Sequence, residues 1–275
     1  MGYLYKSTGA FKSAKRRIAV KFRVLGCSGG QLPGYNLSSF LIEKSLLIDA
    51  GCTTAALSLT AQQKIRDILV THIHLDHVMA LGTLADNIYG KCKVPVNVWS
   101  VGRVIDGLAK SFFNNQVWPD FTRITGPNQR VPVLRLRRMR EGRVMKIRDH
   151  SITAIAVGHV VPTVAFFIES KNHTLLHVGD TGPTEKVWSF ARKHPDLGSL
   201  VIETSFPNRL QDVADVSRHL TPQTLAQELD KLAMQSPRIL ITHLKPEFRR
   251  EVIRDLHKLK GHRLRVLRDG DVLQL

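Results

Sequence analysis

Hydrophobic and polar residues alternate near the start of the chain with the period of two that is typical of β-strands. Residues 18–25 read Ile-Ala-Val-Lys-Phe-Arg-Val-Leu, which predicts a strand that ends at the glycine-rich turn of residues 26–30. Residues 38–42 and 46–50 are two short apolar runs and predict a hairpin. Residues 53–66 then space their apolar positions as a helix does.

The rest of the chain alternates between the two kinds of element. Strands are predicted over residues 68–70, 94–99, 164–168, 174–178, 200–203 and 239–242, helices over residues 76–89, 101–113, 184–192 and 221–232, a β-rich stretch over residues 131–156, and a turn at residues 171–172. This order indicates two sheets covered by helices, in one layered α/β domain of residues 18–275. Residues 1–17 are basic and show no period, so we expect a loosely docked N-terminus.

The chain is strongly basic. Its 275 residues carry a formal net charge of +17, which favours an anionic substrate or partner without separating a small phosphate ester from a nucleic acid or a membrane surface. Some basic residues, such as the arginines of residues 135–140, alternate as on a strand and are expected to face water. Hydrophobic residues make up 43% of the chain, enough for a sizeable core. No apolar run approaches the roughly 18–20 residues of a membrane span, so we expect a soluble protein.

Cysteine usage and the N-terminus indicate the compartment. Cys27, Cys52 and Cys92 have no CxxC spacing, which is typical of buried or free thiols in a reducing compartment. The first residues lack the apolar core of a secretory signal. The cytoplasm is therefore the expected location, with a transit peptide as the alternative. The glycine-rich turn lacks the Gly-Lys-Ser/Thr ending of a phosphate loop, so that interpretation is not favoured.

The strongest chemical signal is Thr-His-Ile-His-Leu-Asp-His at residues 71–77, directly after a predicted strand. Side chains alternate along an extended chain, so His72 and His74 lie on one side and can share a metal ion. If a helix begins at Asp76, that residue and His77 are turned away and can serve a second ion. A histidine-rich solvated loop would not account for this spacing. The motif therefore predicts a dinuclear site, and its donors suit zinc, manganese or iron better than magnesium or calcium.

Two ions need more than four ligands, and three suitable residues follow other apolar runs. His159 comes after residues 155–158, Asp180 after residues 177–179 and His243 after residues 239–242. Ligands of open α/β sheets lie at such strand ends. Asp180 can bridge the ions because a carboxylate can give one oxygen to each.

In this order the residues resemble the metallo-β-lactamase superfamily, in which HxHxDH, a later histidine, a bridging aspartate and a last histidine build a two-metal site. Within the superfamily the chain resembles the class II cyclic-nucleotide phosphodiesterases. The segments that carry this resemblance are HLDH at residues 74–77, NQVWPDF at 115–121, DTGPTE at 180–185, ETSFPN at 203–208, SRHLTP at 217–222 and HLKP at 243–246. The chain departs from the family pattern at residues 78–85, where a small Gly or Ser is expected. That departure leaves the metal site intact but bears on the pocket wall and the preferred nucleotide.

The resemblance implies a four-layer αβ/βα sandwich, the metallo-β-lactamase fold, with two divalent ions, most simply zinc, and manganese or iron as alternatives. It divides the ligands into His72, His74 and His159 for one ion, Asp76, His77 and His243 for the other, and Asp180 as the bridge. A hydroxide between the ions would attack the phosphorus of cAMP or cGMP and give the 5′-monophosphate. Asp76 would also help to orient that nucleophile.

By the same resemblance, His219 would contact the phosphate or protonate the departing oxygen, for which its ordinary pKa near 6.5 is suitable. The alternative is a structural role at a helix entry, because Thr221 and the following proline suit a helix start. Glu203 would orient His219, or be a buried strand-end acid with backbone partners. Trp118 and Phe121 are predicted to pack in the core or between subunits, with stacking on a nucleobase as the alternative.

Other functions stay open from the sequence. An RNA-cleaving phosphodiesterase of the same superfamily is favoured by the net charge, but the chain lacks a glycine-rich basic insertion that would grip tRNA. A non-catalytic nucleotide or nucleic-acid binder would have lost metal ligands, and all seven are present. A lactonase or thioesterase acts on neutral esters and gives no reason for so basic a chain. A small anionic nucleotide is thus the expected substrate, and the sequence leaves open whether the protein forms a homodimer.

Overall fold

The computed structural model describes residues 20–127, 130–171, 173–233 and 237–275. The predicted N-terminal segment of residues 1–17 lies outside the described residues. So do the first two positions of the first predicted strand and Asn172 of the predicted turn.

Strands and helices alternate through both halves of the chain. The first half contains β1 (Lys21–Gly26), β2 (Ser39–Ile42), β3 (Leu46–Ile48), α1 (Thr53–Ala56), α2 (Leu59–Gln62), β4 (Asp67–Leu69), α3 (Leu75–Val78), α4 (Ala80–Ile88), β5 (Val96–Val101), α5 (Gly102–Ser111) and β6 (Leu134–Met139). The second half contains β7 (Val144–Ile147), β8 (His150–Ala156), β9 (Val164–Ser170), β10 (His173–His177), α6 (Lys186–Ala191), β11 (Ser199–Glu203), α7 (Gln211–Ser217), α8 (Pro222–Asp230), β12 (Arg238–Thr242), α9 (Arg249–Leu256), β13 (Leu264–Val266) and β14 (Val272–Gln274).

Within the described residues, the strands form two sheets of seven. The first has the order β14-β1-β2-β3-β4-β5-β6, and the second has the order β13-β12-β11-β10-β9-β8-β7. Neighbouring strands from β3 to β6 are parallel, and so are those from β10 to β13. The last strand, β14, returns to pair antiparallel with β1, where Leu273 lies opposite Phe22. The C-terminal end of the chain thereby completes the first sheet.

Alternation along the strands divides their side chains between hydrophobic layers. On β9, Val164, Phe166 and Ile168 point between the two sheets, whereas Ala165 and Phe167 pack on the helices that cover the second sheet. The outer face of the first sheet packs in the same way on helices α3, α4 and α5. The layers therefore run helix, sheet, sheet, helix, which confirms the predicted αβ/βα sandwich.

Some predictions about individual elements are wrong. The helix predicted over residues 53–66 is broken into α1 and α2, because Leu57 is extended and Ser58 starts a new helix by accepting a hydrogen bond from the N–H of Ala61. The helix predicted over residues 76–89 begins one residue earlier and is divided between α3 and α4 at Met79. The sequence reading missed β13 and β14, since at most one side chain of each is buried and neither shows an apolar run.

The structure also bears on what the cysteines, the arginines and the apolar residues of the sequence predicted. The side chains of Cys27, Cys52 and Cys92 are buried, and none of them forms a disulfide. Arg137 of β6 is exposed to solvent, as predicted, and its neighbour Arg138 is exposed as well, which the alternating pattern does not explain. In the described part of the chain, the helices are too short and too polar to cross a membrane.

Candidate metal centre

The predicted ligands lie where strands end. Beyond β4 the chain runs on through His72 to His74, which begins α3 with an extended backbone, φ −61° and ψ 145°. The first turn of α3 then carries Asp76 and His77. The other three predicted ligands follow β8, β10 and β12, at His159, Asp180 and His243.

The seven residues come together in two overlapping groups. Within each group the ligand atoms lie within 4.8 Å of one another. The groups are His72, His74, His159 and Asp180, and Asp76, His77, Asp180 and His243. The structure thus places the predicted ligands in the division that the resemblance implies, with Asp180 in both groups.

The spacing of the donor atoms fits bound ions. A tetrahedral ion with ligands at about 2.0–2.1 Å leaves neighbouring donors about 3.3–3.4 Å apart. His159 Nε2 lies 3.3 Å from His74 Nδ1, and His77 Nε2 lies 3.4 Å from Asp180 Oδ1. Among the described residues, the buried Nε2 of His72 has no hydrogen-bond partner, which would be costly unless an ion took that place. The residues present therefore fit divalent metal ions.

Asp49, which the sequence did not mark as functional, orients one ligand of each group. Its Oδ2 lies 2.7 Å from His77 Nδ1 and accepts a hydrogen bond from Thr71 Oγ1 at 2.9 Å. Thr71 Oγ1 lies 3.0 Å from His72 Nδ1. With Nδ1–H held in this way, both imidazoles keep Nε2 for an ion. The only signal for Asp49 in the sequence is its place at the end of a predicted strand.

Replacing Asp49 by asparagine should weaken metal binding about 10- to 100-fold, because an amide is a poorer acceptor for the two donors that orient the ligands. Competition between the metal-free protein and a chelator for Zn²⁺ measures this affinity. Asp67→Asn is a matched control, since Asp67 is also buried on a strand but binds Asn97, Trp99 and Arg148 outside the metal groups. Asp67→Asn should lower the thermal stability of the protein and leave its affinity for Zn²⁺ unchanged. Equal affinities for Asp49→Asn and the unmodified protein would contradict the assignment.

A second buried network joins His243 to His219. His243 Nδ1 lies 3.0 Å from Ser205 Oγ, which donates to Glu203 Oε2 at 2.7 Å. Glu203 Oε1 lies 2.5 Å from His219 Nδ1. Glu203 is fully buried and also accepts two backbone N–H groups. It therefore combines the two roles that the sequence left open, a partner for His219 and a buried strand-end acid.

His219 lies between the two metal groups. Its ring centroid is 5.1 Å from that of His159 and 5.4 Å from that of His243. The entry to α8 is built by Thr221, whose side chain accepts a hydrogen bond from the N–H of Thr224 in a capping box. The start of α8 therefore does not depend on the His219 imidazole. The ring can instead contact a substrate at the metal centre.

Burial and neighbouring charges set the protonation of the ligands. Burial lowers the pKa of His72 well below its ordinary value, and the nearby His77 adds to that shift. Burial also opposes a charge on His77, but the carboxylates of Asp180 and Asp49 outweigh it and raise the pKa of His77. For Asp180, burial opposes ionisation, yet His243 and His77 hold its pKa well below the usual range. Asp180 would therefore hold a divalent ion as an ionised carboxylate, and His77 would have to give up its Nε2 proton to bind one.

The glycine-rich turn after β1 packs directly on the site. A Cβ at Gly29 would lie 2.6 Å from His243 Nδ1 and from the His243 carbonyl oxygen, which is too close for any side chain. The N–H of Gly29 donates to the carbonyl of Leu244 at 3.2 Å and is already used. The turn therefore fixes the position of His243 and gives no support to a phosphate-loop role.

Gly29→Ala should displace His243 from the second metal group. A misplacement on the order of 1 Å costs a site about 10²-fold in rate, so we expect turnover to fall by about that factor. Metal content after dialysis should also fall, because His243 belongs to the second group. In the matched control Gly30→Ala, the new Cβ comes no closer than 3.3 Å to Pro246 Cδ, a contact that a small shift relieves. Full metal occupancy and unchanged turnover in Gly29→Ala would show that the turn does not position His243.

The segment that departs from the family pattern packs mostly in the core. Its buried members are Val78, Ala80, Leu81, Gly82, Leu84 and Ala85. Only Met79 and Thr83 of residues 78–85 are exposed. The departure therefore concerns packing on the first sheet more than the pocket wall that the sequence suggested. Trp118 packs over Gly82, and Phe121 is buried in the same layer, so both belong to the core.

The layered fold with a histidine and aspartate centre at its strand ends defines a protein of the metallo-β-lactamase fold. The metallo-β-lactamase fold protein YhfI from Bacillus subtilis is similar in structure, with a TM-score of 0.75 at 17% identity over 93% of this chain and 99% of that one. Unliganded yeast PDE1 is also similar, with a TM-score of 0.78 at 19% identity over 94% of this chain and 100% of that one.

Sequence comparison narrows this class. The family model of the class-II cAMP phosphodiesterases matches residues 44–176. A probable 3′,5′-cyclic-nucleotide phosphodiesterase of Yersinia pestis is 29% identical over 289 residues, which cover 86% of this chain and 80% of the relative. These findings confirm the predicted resemblance to the class II cyclic-nucleotide phosphodiesterases, and with it the prediction that the chain is an enzyme.

Proposed function

We propose that the protein hydrolyses the 3′,5′-phosphodiester of a cyclic nucleotide, cAMP or cGMP, to the 5′-monophosphate. The observation that carries this proposal is the place of His219, beside one ligand of each metal group and backed by the buried Glu203. When a phosphodiester is hydrolysed, a P–O bond breaks and the departing oxygen needs a proton. The similarity to a probable cyclic-nucleotide phosphodiesterase supports the choice of substrate.

The ligand residues would hold two divalent ions. Five histidines and two aspartates are a donor set that suits zinc, with manganese or iron as alternatives. When bound, such ions supply Lewis acidity for the phosphoryl oxygens and a lower pKa for a water molecule between them.

Asp76 would orient the attacking water. Its side chain is 25% exposed, more than that of His77, Asp180 or His243 in the same group. Burial opposes its ionisation, but the hydrogen bond to His243 at 3.2 Å and the charge of His77 lower the pKa of Asp76. An ionised carboxylate at this place accepts a hydrogen bond from the water and turns its lone pair towards phosphorus.

His219 would supply the proton to the 3′ oxygen. Burial opposes a charge on His219, but Glu203 outweighs it and raises the pKa of His219. Because Nδ1 donates to Glu203 Oε1, Nε2 carries the proton that the departing oxygen receives. The buried carboxylate then keeps the neutral ring in the same orientation for the next turnover.

An RNA substrate is the second candidate, because a net charge of +17 favours a polyanion. Either substrate is compatible with the expected location in the cytoplasm. The two are distinguished by measuring bound metal and then comparing turnover of cAMP, cGMP, bis(p-nitrophenyl) phosphate and a precursor tRNA. We expect the cyclic nucleotides to be hydrolysed and the RNA to be left intact. Cleavage of RNA with both cyclic nucleotides untouched would overturn the proposal.

A further inference from the structure

A cavity of about 770 Å³ opens beside His159, outside the ring of predicted ligand atoms. Residues 156–164, which connect β8 to β9, form one wall. The end of β5, the end of β6 and the first residues of α5 and α6 form the others. Small-molecule sites usually measure about 300–1,000 Å³, so the cavity is large enough for a small ligand, and His159 places it beside the first metal group.

The walls of the cavity are largely aliphatic. Val101 and Met139 line it on the side of the sheets, and Val157, Val161 and Pro162 line it on the side of the connection. Aliphatic side chains of this kind suit a planar aromatic ring, which buries a large area at low cost in conformational entropy. The phosphate and ribose of a nucleotide would not gain from such walls, but its base would.

The rim of the cavity is polar. Glu141 Oε1 accepts a hydrogen bond from Lys186 Nζ at 2.8 Å, and both side chains line the cavity. An adjacent acceptor and donor match the polar edge of a purine, which presents a donor beside an acceptor. Arg103, exposed at the start of α5, adds a positive charge on the same side. The rim thus suits a polar edge joined to an anionic phosphate.

We propose that this cavity is the nucleobase subsite of the enzyme and that Glu141 and Lys186 contact the polar edge of the base. The proposal rests on the proposed function, since it places the phosphate at the metal centre and the base against the aliphatic walls. The base would then be recognised beside His159, where residues of both sheets line the cavity.

The first test compares a substrate that has a base with one that lacks it. The quantity measured is kcat/KM for cAMP and cGMP divided by kcat/KM for ribose 3′,5′-cyclic phosphate, which has the same cyclic phosphodiester and no base, using metal-loaded protein. Glu141→Gln should lower this ratio about tenfold, through a higher KM for the nucleotides, because a charged hydrogen bond to the base is lost. Val160→Trp should lower it at least as much, since Val160 lines the cavity and is half exposed, so an indole can fill the space.

A matched control is Glu251→Gln. Glu251 also pairs with a cation at the surface, Arg209, at 2.9 Å, but it does not line the cavity. The kcat/KM ratio of Glu251→Gln should equal that of the unmodified protein. Unchanged ratios in both Glu141→Gln and Val160→Trp would overturn the subsite, whereas failure to hydrolyse any of the diesters would overturn the proposed function instead.

A binding measurement tests the subsite without turnover. Calorimetric titration of the metal-loaded protein should show that AMP or GMP binds at least about tenfold more tightly than ribose 5-phosphate. Val160→Trp should remove that difference while its thermal unfolding stays that of a folded protein. Equal affinities for the nucleotides and ribose 5-phosphate in the unmodified protein would contradict the proposal.

Discussion

Asp180→Asn should lower turnover of cyclic nucleotides by about 10³-fold or more and reduce the metal content of both groups. Asp180 is the one residue that belongs to both groups, with Oδ1 3.4 Å from His77 Nε2 and Oδ2 3.3 Å from His243 Nε2. An amide offers one neutral oxygen in place of two charged ones, so it cannot serve two ions. Elemental analysis of the dialysed protein, together with turnover of cAMP, measures both effects.

Variants in a single metal group provide the comparison for Asp180→Asn. His74→Ala removes a ligand from the first group alone, so it should lower the metal content towards one ion per chain. If Asp180→Asn kept two ions and its turnover, the carboxylate would not be a bridge. If it lost no more metal than His74→Ala, it would serve one group only.

His219→Ala should lower turnover by roughly 10² to 10⁴ while the metal content stays unchanged. The imidazole lies beside both groups but is a member of neither, so its loss removes the proton donor and leaves the ligands in place. Glu203→Gln should lower turnover less, because it changes the orientation and charge of His219 without removing it.

The control for His219→Ala is His257→Ala. His257 is an exposed histidine just after α9, outside the metal groups, and its loss should not affect turnover. A metal-replete His219→Ala protein with normal turnover would leave His219 with a structural role only. A bell-shaped pH profile that loses one limb in His219→Ala would support its role as an acid.

Most of the predicted ligands could be recognised because they follow strand ends in the sequence, whereas Asp76 and His77 lie in the first turn of α3. His72, His74 and Asp180 directly follow apolar runs, and the geometry of a layered sheet brings such ends together. Alternation of side chains along β10 also explains why His177 is not a ligand. His177 lies on β10 between Leu176 and Val178, so its side chain points between the sheets, edge-on to Phe40 at 4.9 Å.

The residues that orient the ligands could not be predicted in the same way. Asp49 contacts His77 and Ser205 contacts His243, and these partners are 28 and 38 residues away in the chain. No local pattern in the sequence marks such a contact, because it depends on how strands from distant segments meet. The break at Ser58 was missed for a different reason, since a capping serine competes with a helical apolar spacing that continues through it.

The shape of the substrate cavity was also beyond the sequence. Its walls come from β5, β6 and the connection between β8 and β9, which are brought together only by the stacking of the two sheets. The sequence pointed instead to residues 78–85, most of which pack in the core. Pocket shape depends on which side chains remain outside the core, and that is decided by tertiary packing.

The central claim is that this metal centre hydrolyses a cyclic nucleotide at its 3′ oxygen. It is tested most directly by ³¹P NMR of cAMP and cGMP incubated with the zinc-loaded protein, with Asp180→Asn as the blank. We expect the cyclic phosphate signal to disappear and the 5′-monophosphate to be the product. Formation of the 3′-monophosphate, or a cyclic phosphate signal that persists as it does with Asp180→Asn, would contradict it.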